Sequence, residues 1–281
     1  MSRLVIQHPA LSDAAVAAFA AAVDGPPSQR TPVLARWDAV SIDGPRVGDL
    51  ADAHAVDAEI VPAGLRLADF RLAAFDMDST LITIECVDEI ADYAGCKAEV
   101  AAITEAAMRG EIADYDESLR RRVALLAGLS ESTLERVWED RVRLSPGADR
   151  LLAGLKAAGL RTLVVSGGFT FFTERLKRRL GLDVARSNVL EVSEGRLTGR
   201  LVGPIVNAER KRTIVEQMCA QVGCTPAQAI VVGDGANDLK MMSIAGLSVA
   251  FHAKPIVRDE TTHALNHCGL DAILNFFDAA A

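Results

Sequence analysis

Leu72-Ala73-Ala74-Phe75-Asp76-Met77-Asp78-Ser79-Thr80 decides how the rest of this 281-residue chain is read. Four apolar residues form a short strand, and two carboxylates stand at its end. In an extended chain, residues i and i+2 point the same way, so Asp76 and Asp78 share one side and Met77 faces away. Two carboxylates at one mouth suit Mg²⁺-assisted phosphoryl transfer. One serves as nucleophile and metal ligand, the other as general acid and base. A lone Asp-x-Asp also fits a helix N-cap, so the pair takes its meaning from what surrounds it.

Outward from this stretch, apolar strands at 72–75, 161–165, 229–232 and 247–251 alternate with helical segments. That order predicts an α/β fold with a Rossmann-like parallel sheet covered by helices on both faces. Such sheets bind ligands beyond the carboxyl ends of their strands. The second strand ends in Ser166-Gly167-Gly168-Phe169, which reads as opening a helix whose free N–H groups make a phosphate cradle. The third ends in Gly233-Asp234-Gly235-Ala236-Asn237-Asp238, where Asp234 can give Mg²⁺ a further oxygen ligand. Lys211 begins the helix before that strand and can offer a point charge to a phosphate. Each signal alone also fits an ordinary strand-to-helix turn; together they fall in order at successive strand ends.

Residues 85–145 are too long for a simple crossover and carry helical segments at 87–94, 99–108, 117–126 and 132–142, so they read as an inserted helical cap within a 70–281 core. Alternating apolar residues at 188–202 read as a β-hairpin flap. On the helix at 117–126, about 100° per residue puts Arg122 near the apolar face of Leu119, Val123 and Leu126, with Arg120 and Arg121 elsewhere. An arginine facing inward can clamp a carboxylate, and Glu85 can pair with an ammonium. Phosphate, ammonium and carboxylate together describe a phosphorylated amino acid. Both residues also fit plainer roles, in a cap ion pair and at an exposed helix start.

Residues 1–69 read as a small α+β accessory domain: a strand at 4–6, an Ala-rich helix at 14–23, a Gly-Pro-Pro break at 25–27 and a strand at 33–42. Nothing in them indicates a role. With 30 Lys and Arg against 38 Asp and Glu, the net charge of −8 speaks against a general nucleic-acid or anionic-membrane binder. The five cysteines (86, 96, 219, 224 and 268) lack metal or disulfide spacing and fit reduced thiols. The longest uncharged stretch, 217–233, is broken by Gln221, Pro226 and Gln228, which rules it out as a membrane span. The apolar run 14–23 is flanked by Asp13 and Asp24, unlike a secretion signal. A cytoplasmic location is expected.

DMDST, SGG, Lys211 and GDGAND together resemble the four motifs of the haloacid-dehalogenase-like phosphohydrolases. DMDSTLITIECVDEIADYAG, MRGEIADYDESLRRRVALL, VVSGGFTFF, VVGDGANDLKM and AFHAKP further resemble the bacterial phosphoserine phosphatases, over about residues 70–275. The resemblance implies that Asp76 is phosphorylated and that Asp78 protonates the leaving oxygen and later activates water. It implies Mg²⁺ held by Asp76, the main-chain oxygen of Asp78, and Asp234. Glu85 and Arg122 would bind the amino-acid part of O-phospho-L-serine; Ser166, Gly167, Lys211 and Asn237 would bind its phosphate. Tyr115 matches an aromatic that lines the pocket. The implied reaction gives L-serine and phosphate, the last step of serine biosynthesis. Alternatives are a related phosphatase or phosphotransferase acting on another small phosphorylated alcohol, and a non-catalytic amino-acid sensor. Intact Asp76, Asp78, Lys211 and Asp234 argue against the sensor. The partner expected is a small-molecule substrate, with no nucleic acid and no membrane, and with room for a homodimer.

Overall fold

The computed structural model describes residues 2–109, 111–112 and 114–278, with Met108 by its main chain alone. Near the N-terminus, β1 (Ser2–Gln7), β2 (Gln29–Arg30), β3 (Leu34–Val40) and β4 (Asp57–Pro62) form an antiparallel sheet in the order β2-β3-β1-β4. Helices α1 (Asp13–Val23) and α2 (Gly44–His54) accompany it. Alternation along β1 divides its side chains. Leu4 and Ile6 pack with Phe19 and Trp37, whereas Val5 joins Leu34, Val61 and Phe70 in the main core. The sequence reading found neither α2 nor β4. Helix α2 is poor in apolar residues, but its N-cap Asp43 accepts from the Arg46 N–H and is followed by a proline in the first turn.

The second sheet runs β11-β10-β9-β5-β6-β7-β8. Its members are β5 (Leu72–Phe75), β6 (Arg161–Phe169), β7 (Val184–Ser193), β8 (Arg196–Val202), β9 (Ala229–Gly233), β10 (Leu247–Phe251) and β11 (His263–Leu265). All pairings are parallel except β7 with β8, a hairpin turning through Glu194 and Gly195, both at positive φ. Central β5 is buried on both faces: Ala73 and Phe75 face one core cluster, Leu72 and Ala74 the other. This explains why it reads as an uninterrupted apolar run.

Helices α3 (Cys86–Ala94), α4 (Lys97–Met108), α5 (Tyr115–Ala124) and α6 (Ser132–Asp140) follow β5 and precede α7 (Ala148–Ala157). An Ile82–Leu144 bridge ties the start of this insertion to its end. Main-chain bonds tie it to the hairpin: Gly128 N–H to Leu197 O at 2.8 Å, Leu197 N–H to Leu129 O at 2.8 Å, and Glu131 N–H to Gly195 O at 2.9 Å. Beyond β6 come α8 (Thr170–Leu180), α9 (Ala208–Val222), α10 (Leu239–Met242) and α11 (Pro255–Arg258).

One expectation is corrected here. Ser166-Gly167-Gly168 do not open a helix: β6 continues to Phe169, and α8 starts at Thr170. The β6–β7 register shifts between Val165 and Phe169, and Asn188 holds the stretch extended by donating from Nδ2 to Gly167 O at 2.7 Å. Among the described residues, no helix is long and apolar enough to cross a membrane.

Candidate active site

Asp76 leaves the end of β5 and accepts from the Met77 N–H at 2.6 Å. The chain then turns over Met77–Leu81, with non-helical backbone at Asp78 and Ser79 and the Ile82 N–H donating to Met77 O at 3.0 Å. Ser79 sits there at φ 52°, a left-handed conformation that costs a non-glycine residue and persists only where its surroundings enforce it. The turn aims two hydroxyls. Ser79 Oγ donates to Glu85 Oε1 at 2.6 Å, and Thr80 Oγ1 donates to Asp234 Oδ1 at 2.9 Å.

Lys211 lies in the first turn of α9 and is 1% exposed. Its Nζ stands 2.8 Å from Asp76 Oδ2 and 2.7 Å from Asp238 Oδ1. Asp238 is itself fixed by the Gly235 N–H, which donates to its Oδ2 at 3.2 Å. The lysine is therefore pinned between two carboxylates. Sequence reasoning missed Asp238, Thr80 and Ser79 as working parts, although all three fall inside the quoted motifs. Asp238 had a usable signal, four residues beyond Asp234 on the turn into α10.

These elements close over one cavity. Its walls include Asp76, Asp78, Ser166, Gly167, Gly168, Asp234 and Asn237 from the strand ends, and Glu85, Tyr115, Leu119 and Arg122 from the insertion. Lys211 is not in the wall; it stands behind Asp76. Of the three consecutive arginines only Arg122 lines the cavity, while Arg120 pairs with Asp116 and Arg121 with Glu117 along α5. The glycines permit the closure. A Cβ at Gly167 would collide with the Tyr115 hydroxyl, and one at Gly168 would meet Met77 Cε at 2.7 Å.

The charge arrangement is unfavourable as it stands. Burial, then Glu85 and Asp76, push the Asp78 carboxyl well above its ordinary range. Burial likewise raises Glu85, and it lifts Asp234 and Asp238 to about 7, with Asp76 adding to both. Burial alone would lower the Lys211 ammonium, but Asp238 and Asp76 outweigh it and hold it charged. Among the described residues, Asp78 Oδ1 and Arg122 Nε, both in the cavity wall, are buried without a hydrogen-bond partner, which leaves them available to a ligand. Carboxylate oxygens of Asp76, Asp234 and Asp238 lie within 4.8 Å of one another. Hard oxygen donors at this density fit Mg²⁺. The cluster brings in Asp238, which the sequence reading did not name as a ligand, and does not include Asp78.

A family model described as haloacid dehalogenase-like hydrolase matches residues 73–243. A phosphoserine phosphatase of Polaromonas sp. is 62% identical over 75% of this chain and 91% of its own length. Among solved structures, a hydrolase of the same family from Salmonella enterica has a TM-score of 0.89 at 32% identity, covering 99% of both chains. A substrate-bound phosphoserine phosphatase complex has a TM-score of 0.69 at 38% identity, covering 74% of this chain and 99% of that one. The chain belongs to the haloacid dehalogenase-like hydrolase family. Within it, the chain falls among the phosphoserine phosphatases.

Proposed function

We infer that this chain hydrolyses O-phosphoserine to serine and inorganic phosphate through a phosphoaspartyl intermediate on Asp76. The observation that carries this is the cavity wall, which offers a partner to each charged group of a phosphorylated amino acid. Ser166, Gly167, Asn237, Glu85 and Arg122 all line the cavity; the first three would bind the phosphate, Glu85 the ammonium and Arg122 the carboxylate. A planar guanidinium suits that last task because it can make two parallel hydrogen bonds.

In the first step an Asp76 carboxylate oxygen bonds to phosphorus, and the ester bond to the serine oxygen breaks. That oxygen takes its proton from the Asp78 carboxyl, whose hold on a proton is strengthened by burial and by the neighbouring Glu85 and Asp76. A water oxygen then bonds to phosphorus while the Asp78 carboxylate accepts its proton. The Asp76–phosphorus bond breaks, releasing phosphate and restoring both carboxyl groups to their starting states. Lys211, 2.8 Å from Asp76 Oδ2, orients the nucleophile for attack.

Asp76, Asp234 and the Asp78 main-chain oxygen would hold Mg²⁺, which when bound draws charge from the phosphoryl oxygens. Asp238 keeps Lys211 in place beside that set. The five thiols are all unpaired, which supports a reducing compartment, the cytoplasm.

The test is Mg²⁺-dependent phosphate release from phosphorylated serine, threonine and homoserine and from an aryl phosphate. Phosphoserine is expected to give the highest kcat/KM, with phosphate freed in the absence of any acceptor alcohol. Release only when homoserine is added, or from the aryl phosphate alone, overturns the reading.

A further inference from the structure

We propose that Asn207 and Asp116 form a latch that holds α5, and with it Tyr115 and Arg122, over the phosphate site. Asn207 Nδ2 donates to Asp116 Oδ1 at 2.9 Å. Among the described residues this is the one side-chain hydrogen bond that joins α5 to the strand-and-helix core. The inference rests on the phosphoserine reading only for its kinetic arm.

Both partners are oriented by their own helices. Asn207 is the N-cap of α9, and its Oδ1 accepts from the Arg210 N–H at 3.0 Å, which leaves Nδ2 as a donor of fixed direction. Asp116 lies in the first turn of α5. Its carboxylate therefore sits at the start of two helices at once, where the partial positive charge of free N–H groups favours an anion. Lys211 is one turn beyond Asn207, its N–H donating to Asn207 O at 2.8 Å. The latch thus joins the turn that carries Lys211 to the helix that carries Arg122.

Elsewhere the insertion is held by side-chain bonds, from Arg175 on α8 to Glu135 on α6 and from Arg196 to Gly128 O, and by main-chain bonds. On the hairpin side, main-chain bonds from Gly128, Leu129 and Glu131 reach Gly195 and Leu197, at the turn and the start of β8. At its base, the Thr83 N–H donates to Arg143 O at 3.0 Å, and the Ser145 N–H to Leu81 O at 3.0 Å. A side-chain bond can break and re-form without disturbing a strand or helix, whereas those main-chain bonds cannot. Outside the latch lies a groove walled by Asp116, Asn207, Glu209 and Lys240, and it shares Tyr115 and Asn237 with the catalytic cavity. Release of the latch opens the cavity along this groove, so substrate enters and serine leaves between the starts of α5 and α9.

The test uses the reciprocal exchange of donor and acceptor. Asn207→Asp keeps a good N-cap for α9 but sets two carboxylates against each other, and KM for phosphoserine is expected to rise about tenfold with kcat within about twofold. Asp116→Asn retains a neutral bond and should change KM by less than about threefold. The double substitution restores the bond with its polarity reversed, and should bring KM back to within about twofold of the starting protein. Amide hydrogen exchange over 115–124, read on the same proteins, should quicken in Asn207→Asp and slow again in the double variant. That arm needs no turnover and stands even if phosphoserine is not the substrate. Unchanged exchange and unchanged KM in Asn207→Asp, or a double variant no better than Asn207→Asp, overturns the latch.

Discussion

Two groups of carboxylates in this molecule are treated in opposite ways. Where the N-terminal sheet meets the core, each is fully engaged. Asp57, 3% exposed, accepts main-chain N–H groups from Asn266 at 2.6 Å, His267 at 3.1 Å and Cys268 at 2.8 Å. Glu59 meets His263 Nδ1 at 2.9 Å and the Ala264 N–H at 2.8 Å, and Arg3 bridges Asp38 and Asp278. At the strand ends of the core, Asp76, Asp78, Glu85, Asp234 and Asp238 crowd together, Lys211 contacts Asp76 and Asp238, and among the described residues Asp78 Oδ1 has no partner. Satisfied acids fasten two parts of a fold; crowded acids hold chemistry in readiness.

The sharpest way to break this contrast is to remove one acid from each group. Asp76→Asn should lower turnover on the order of 10⁴-fold while leaving the protein folded, because it removes the attacking oxygen. Phosphate release and circular dichroism on the same sample check it. Arg122→Ala should come next, raising KM for phosphoserine by about two powers of ten while an aryl phosphate is hydrolysed nearly as before. Asp57→Ala should do the reverse of Asp76→Asn. Three main-chain donors lose their acceptor, costing about 3 kcal/mol in a urea unfolding curve, with kcat per folded molecule unchanged.

A subtler prediction concerns protons. Asp234 titrates at about 7 in the fold against 3.8 for the ordinary carboxyl. Between those values the folded chain holds a proton that the unfolded chain has lost. Its contribution is therefore fully present below the lower value, declines as pH rises across the window, and is gone above the upper one. In metal-free protein the thermal midpoint should fall between about pH 5 and about pH 8, by a few degrees. Asp234→Asn should lessen that slope, leaving the part due to Asp238, which is also raised to about 7, and saturating Mg²⁺ should weaken it by favouring the ionised form of Asp234. Smallest of all, Arg121→Ala should leave KM within about twofold, since its guanidinium reaches only Glu117 on the same exposed helix face.

How far the sequence carries depends on how local each feature is. The strand-end motifs were readable because strand, turn and acid occupy fewer than ten consecutive positions, and helical periodicity singled out Arg122 from its two neighbours. Lys211 was placed near the phosphate, but its pairing with Asp238 spans 27 residues and has no periodic signature. Asp57 was invisible for the same reason, since its partners lie more than 200 residues away. The Ser166–Gly168 stretch was misread as a helix start because the residue that keeps it extended, Asn188, comes from the next strand.

The main-chain bonds between Gly128–Glu131 and the β7–β8 hairpin carry a lesson for chimaeras. Two segments from different parts of the chain, separated by α7, β6 and α8, are stitched together. Exchanging either with a homologue while keeping the other would leave stitches without counterparts. Crossover points chosen to retune selectivity should therefore import both inserts from the same donor.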